Sequence, residues 1–203
     1  KTGVRDAHNA DNYLDLIVDD SAEFLEPYAA SLVMMSDGNH EASIRKNIEV
    51  DLLDHLCRRL QVQHMGYSGW VRLMFERPGG GDRSQRRLWF HHGSGGGGPV
   101  TRGVIATNRR AAMVSDADIV VSGHIHEAWQ VEVPRHGLSN GGHERRSTQL
   151  HVSCATYKDD WTLEGGWHME RGAPPKPLGG WWLELAYDYA QPGHVGVGVR
   201  RAS

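Results

Sequence analysis

The sequence predicts an α/β (α+β) fold: helices alternate with strands over the first two thirds, and the remainder is mostly β, within one domain spanning 1–203. Three observations carry this prediction. Short apolar runs at 32–35 and 118–121 have the length of buried strands. Between them, Ile44, Ile48, Leu52, Leu56 and Leu60 recur every fourth residue, the spacing of one helix face. Alternation of apolar and polar residues appears late, at Trp129, Val131 and Val133 and again at Leu183, Leu185 and Tyr187.

In order along the chain, 12–30 carries Leu14, Ile17, Val18 and Leu25 at helical spacing, with Pro27 placed to end or kink the helix. A short buried strand is expected at 32–35, and one continuous helix at 42–60. The β-rich runs 68–76 and 87–90 flank Pro78-Gly79-Gly80-Gly81-Asp82, a strong loop signal. Pro99 and Thr101 suit a helix start, and that helix should run to Val114. After the strand at 118–121, the two alternating segments read as half-exposed antiparallel strands, with loops such as Gly172-Ala173-Pro174-Pro175-Lys176-Pro177 between them. No internal repeat is visible.

Bulk properties exclude some functions. A formal net charge of −3 offers no global basic field for nucleic acid, so any such contact would have to be local. No apolar run approaches a membrane span, and no signal peptide opens the chain, which begins at Lys1 rather than Met. Cys57 and Cys154 form no CxxC pair and sit in apolar patterns, which suits a reducing, cytoplasmic compartment. The 13 histidines are dispersed rather than run together as a tag, so their positions decide what they mean.

Three polar clusters each follow an apolar β-like run. Val33-Met34-Met35 precedes Gly38-Asn39-His40-Glu41; Leu88-Trp89-Phe90 precedes His91-His92-Gly93; Ile119-Val120-Val121 precedes Gly123-His124-Ile125-His126. In α/β sheets the loops after strand ends form the binding crevice. The spacing of two in His124-Ile125-His126 would put both imidazoles on one side of an extended chain. Against this stand plainer readings: Asn39 as a turn residue, His40 as a helix-start residue, and the glycine run 93–98 as a flexible linker.

The three clusters, in this order, resemble the last three motifs of the calcineurin-like metallophosphoesterases. The later Pro-Pro-Lys-Pro-Leu-Gly-Gly-Trp-Trp run is similar to phage and prophage members. The resemblance implies two packed, mixed β-sheets flanked by helices in a four-layer sandwich, and two divalent transition-metal ions (Mn, Fe, Zn or Ni). It implies that Asn39, His92 and His124 hold one ion, that His126 reaches the other, and that His40 protonates the leaving oxygen. At the histidine pair it favours His92, next to the turn residue, over His91. Gly93, Ser94 and Gly95 are candidates to offer backbone amides to a phosphate. The implied substrate is a phosphate ester, nucleotides and nucleic acid included, cleaved by a metal-activated water. The family's first two motifs, D-x-H and G-D-x-x-D, are not visible; Asp6-Ala7-His8 has the first spelling without an apolar strand before it. The expectation is a C-terminal part of a longer protein, with a catalytically incomplete metal- or partner-binding module as the alternative function.

Overall fold

A computed structural model describes residues 12–77, 80–81, 83–96, 98, 100–159, 161, 166–189 and 194–202; Asp6-Ala7-His8 and Pro99 lie outside these. The fold is mixed α/β, and the chain divides into two compact units, Lys1–Ser68 and Gly69–Ser203. No helix among the described residues is long and apolar enough to cross a membrane.

In the first unit, α1 (Tyr13–Leu25) gives way to a 3-10 turn, Glu26–Ser31, as Pro27 dictates. Strand β1 (Met34–Ser36) pairs in parallel with β2 (Gln63–Met65), in the register Met35 to His64. A parallel pair needs a long crossover, and two helices supply it: α2 (Asn39–Ile48) and α3 (Leu52–Leu60). The single helix expected over 42–60 is therefore broken. Glu49 turns into the left-handed region (φ 61°) and closes α2, while the Asp51 carboxylate accepts the Asp54 amide at 3.0 Å and starts α3. The break changes which face is buried. Leu53, Leu56, Cys57 and Leu60 enter the core with Ala22 and Val62, whereas Ile48 is exposed. Val33, expected in a buried strand, is also exposed, because β1 begins one residue later.

The second unit holds a five-stranded sheet in the order β3-β4-β5-β7-β6, built from β3 (Ser68–Glu76), β4 (Arg83–His91), β5 (Ile119–Ser122), β6 (Trp129–Leu138) and β7 (Glu144–Ser153). Strands β4, β5 and β7 run parallel, and β6 returns antiparallel to β7. Between β4 and β5 lie turns at 100–105 and α4 (Ala106–Met113), a shorter helix than the one expected from Pro99. A one-turn α5 (Trp167–Glu170) precedes the hairpin of β8 (Gly180–Tyr187) and β9 (Val195–Ala202). One face of the large sheet, through Ile119, Leu150 and Val152, packs on Trp181, Leu183, Leu185, Val197 and Val199 of that hairpin. On the opposite face, Trp89 and Val120 form a core with Val114 and Ala117 from the α4–β5 connection. The alternation seen in the sequence at 129–133 and 183–187 is the signature of these half-covered antiparallel strands.

The α4 side of the sheet contains a polar lock. Gln149, fully buried, donates from Nε2 to the carbonyl of Val114 (2.9 Å), the C-cap of α4, and to that of Ala117 (2.8 Å) in the connection to β5. Its Oε1 therefore faces His151 Nε2 at 2.9 Å, so that nitrogen carries the hydrogen. His151 Nδ1 is buried without a partner, and a proton added there would find no acceptor. Burial above all, then the charges of Arg110 and Arg135, pushes the His151 imidazole down to about 4. The unfolded chain would bind this proton near 6.5, so stability is intact above that pH and is lost as pH falls toward 4, by about 3 kcal/mol in all. All seven tryptophans lie in the second unit, so urea unfolding followed by tryptophan fluorescence reads this unit. The midpoint should fall between pH 6.5 and 4, and His151→Gln should flatten the fall.

Candidate metal centre

Strand ends position the candidate residues. Parallel pairing of β4 with β5 sets His91 beside Ser122, so the residues that follow, His92 and Gly123-His124, leave the sheet side by side. The Gly123 amide donates to the His92 carbonyl at 3.0 Å and fixes this alignment. Gly93 lets the two loops touch. It has a φ of 108°, and a Cβ there would lie 2.9 Å from the Cβ of His124 and closer still to the Gly123 carbonyl oxygen. Ile125 turns away and packs against Gly103, where an added Cβ would meet its Cδ1 at 2.5 Å.

The result is a facing pair: His92 Nε2 lies 3.2 Å from His124 Nδ1, with ring centroids 5.1 Å apart. Two nitrogens on one tetrahedral cation at about 2.0–2.1 Å stand about 3.3–3.4 Å apart, and two neighbouring ligands of an octahedral ion about 3.0 Å. The 3.2 Å separation lies in that range, and it is equally the length of a hydrogen bond from one imidazole to the other. His124 and His126 both have left-handed backbone, φ 71° and 55°, which costs a non-glycine residue roughly 1–2 kcal/mol. Such strain collects where side-chain direction matters more than local stability. It also corrects the expected extended geometry of His124-Ile125-His126: β5 ends at Ser122, and the segment is a turn in which Ile125 N–H donates to the Gly123 carbonyl at 2.9 Å.

His91 serves the loop. It stacks on Trp89 at 5.5 Å, and its Nδ1 accepts the Gly93 amide at 2.7 Å. Burial first, then the nearby Arg110, lowers its pKa and keeps this acceptor free of protons. The Gly93 amide, a candidate for phosphate, is therefore engaged inside the loop, while Ser94 and Gly95 are exposed.

Asn39 and His40 lie in the first unit, as the first two residues of α2, so His40 is a helix-start residue and is exposed. Gly38 is the N-cap, its amide held by the Glu41 carboxylate at 3.0 Å. The residue before it, Asp37, is 1% exposed and anchors a network that spacing alone did not reveal. Its carboxylate meets His64 Nε2 at 2.9 Å and Arg45 Nη1 at 2.8 Å, and the same guanidinium nitrogen reaches Asp51 at 2.9 Å. Burial pushes the Asp51 carboxyl up, but the Asp54 amide and Arg45 outweigh it and hold the group below the usual range. Asp37, Asp51 and His64 each offer a ligand atom within 4.8 Å of the others. A cation would fit that spacing, but Arg45 already supplies the positive charge. The network fixes the turn that presents Asn39 and His40. Nothing in the sequence singled out His64; its place opposite Met35 comes from the pairing of β2 with β1.

No protein-family model matches the chain, and no curated protein matches it.

The contact at Gly93 yields a prediction. Gly93→Ala should separate the two loops and lower the stability of the second unit by about 2 kcal/mol, combining positive-φ strain with overpacking. Urea unfolding by tryptophan fluorescence measures the loss. Wild-type stability would mean that the two loops do not depend on this contact.

Proposed function

We propose that the chain is a metal-dependent phosphoesterase that hydrolyses phosphomonoester or phosphodiester bonds, built on the two-sheet, four-layer sandwich of the calcineurin-like metallophosphoesterases. One observation carries the reading: His92 and His124, from two adjacent strand ends, face one another with ring nitrogens 3.2 Å apart in loops whose backbone is strained. In this reading His92 and His124 hold one divalent ion, His126 serves a second, and Asn39 joins the ligand set through the motif resemblance. Bound ions of this kind supply Lewis acidity that makes water nucleophilic near neutral pH. The chain's residues provide the rest. His91 and Gly93 hold the His92 loop in place, and the Asp37 network holds the start of α2, which carries exposed His40. The motif resemblance alone assigns His40 the protonation of the leaving oxygen. Both cysteines are free, which supports a reducing, cytoplasmic setting. A second reading, a metal- or partner-binding module without turnover, is favoured by one feature: the His92 and His124 nitrogens lie within hydrogen-bonding distance of one another, an arrangement that needs no second ion.

Metal titration by calorimetry tests the ligand set. Mn²⁺ or Zn²⁺ should bind the wild-type chain; His92→Ala and His124→Ala should each weaken the same binding step roughly 10–100-fold or more, while His126→Ala spares that step. Identical losses in His124→Ala and His126→Ala would remove the division of roles.

Turnover separates the two readings. With p-nitrophenyl and alkyl phosphate esters, His40→Ala should lower kcat roughly 10²–10⁴-fold at unchanged metal content, the range expected of a general acid. The loss should be larger for alkyl esters, whose leaving group needs the proton more. Metal binding by the wild type with no hydrolysis of any ester would favour the binding module.

A further inference from the structure

Arg110 is the feature that neither the fold nor the metal pair uses. It projects from α4 onto the sheet face that carries His91, Ser122 and Ser153 in neighbouring register positions at the ends of β4, β5 and β7. Its Nη1 donates to Ser122 Oγ at 2.9 Å, and its charge acts on both His91 and His151. Burial lowers its pKa, and no carboxylate among the described residues offsets that effect. A guanidinium withdrawn from water is ordinarily paired with an acid.

Its surroundings are rich in donors and short of acceptors. Ser122 Oγ accepts from Arg110 and so keeps its own hydrogen for another acceptor. Ser153 Oγ, fully buried in the neighbouring register position, has no partner at all. His91 Nδ1 is occupied by the Gly93 amide. The acceptor left open nearby is His151 Nδ1, which is buried deeper along the strand. A cation and hydroxyl donors without an acid between them are the complement of an oxyanion. The place is apt. Arg110 touches Ser122, two residues before His124, and influences His91, the residue before His92.

We propose that Arg110 is an anion-binding residue of this strand-end site, receiving a non-bridging oxygen of a phosphate group on its guanidinium, with the Ser122 hydroxyl as a second donor. The proposal deepens the phosphoesterase reading by naming how the tetrahedral anion is recognised, and it rests on that reading only for the identity of the ester.

The test uses the full chain stripped of metal with chelator, titrated with inorganic phosphate and separately with sulfate. Binding is followed by calorimetry and by the NMR signal of the Arg110 Nε–H group. Phosphate should shift that signal, Arg110→Gln should weaken binding on the order of 10-fold or more, and Arg110→Lys, which keeps charge but loses the fork, should fall between. Tryptophan fluorescence checks that the variants fold; if Arg110→Gln does not, Arg110→Lys and the wild-type Nε–H shift decide. Wild-type phosphate affinity in folded Arg110→Gln, or an Arg110 signal unmoved by saturating phosphate, overturns the proposal. Ester hydrolysis is measured alongside. A chain that binds phosphate through Arg110 but cleaves no ester keeps this inference and loses the esterase. A chain that cleaves esters with unchanged KM and phosphate affinity after Arg110→Gln keeps the esterase and loses this inference.

Discussion

The candidate centre depends on one register. Because β4 and β5 run parallel with His91 opposite Ser122, two chain segments leave the sheet at the same level and in the same direction. The contact of Gly93 with Gly123 and His124 then presses them together, and the 3.2 Å approach of two imidazoles follows. A slip of one residue would turn every side chain of β5 to the other face. It would bring Ser122 into the apolar layer held by Leu150 and Val152 and carry His124 out of reach. The buried pattern of β5 thus fixes the chemistry at its end.

Polarity in this unit is divided by face. The side packed on the β8–β9 hairpin is apolar, while the side under α4 mixes Trp89 and Val120 with Gln149, His151, Ser122 and Ser153. Gln149 closes the helix end, and His151 is held neutral by its position. Buried polar groups at strand ends carry a cost in desolvation, which here is incurred on the face from which Arg110 is reached.

Much of this was legible in the sequence. Each apolar run followed by a His-bearing cluster proved to be a strand end, and the alternating segments proved to be antiparallel strands covered on one face. The failures share a cause. The break between α2 and α3 is closed by Glu49 in a left-handed conformation, where no glycine announces it. His124 and His126 are likewise non-glycine residues at positive φ, so their spacing suggested an extended chain. The network of Asp37, Arg45, Asp51 and His64 joins residues up to 27 positions apart, and no local pattern encodes such a meeting. Arg110 reads in sequence as one more charge on a helix; its seclusion appears only once the sheet beneath it is in place.

The strand order carries a consequence for how the chain acquires its site. β7 lies between β5 and β6, yet it is made after both. Its partner β6 is joined to it by the short turn around Gly142, where the Gly142 amide donates to the Ser139 carbonyl at 2.9 Å. Hairpins of this kind close in microseconds, whereas parallel pairings across long connections wait on loop closure. The order implies that β6 and β7 zip together first and dock as a ready-made ribbon onto the edge of β5. Until β4 and β5 have aligned, His92 and His124 are strangers 32 positions apart along the chain, and a metal ion arriving early would find one imidazole and not two. On the proposed metal-binding reading, ligand assembly is thereby a late event, and a cation would act as a seal on the finished sheet rather than as its nucleus.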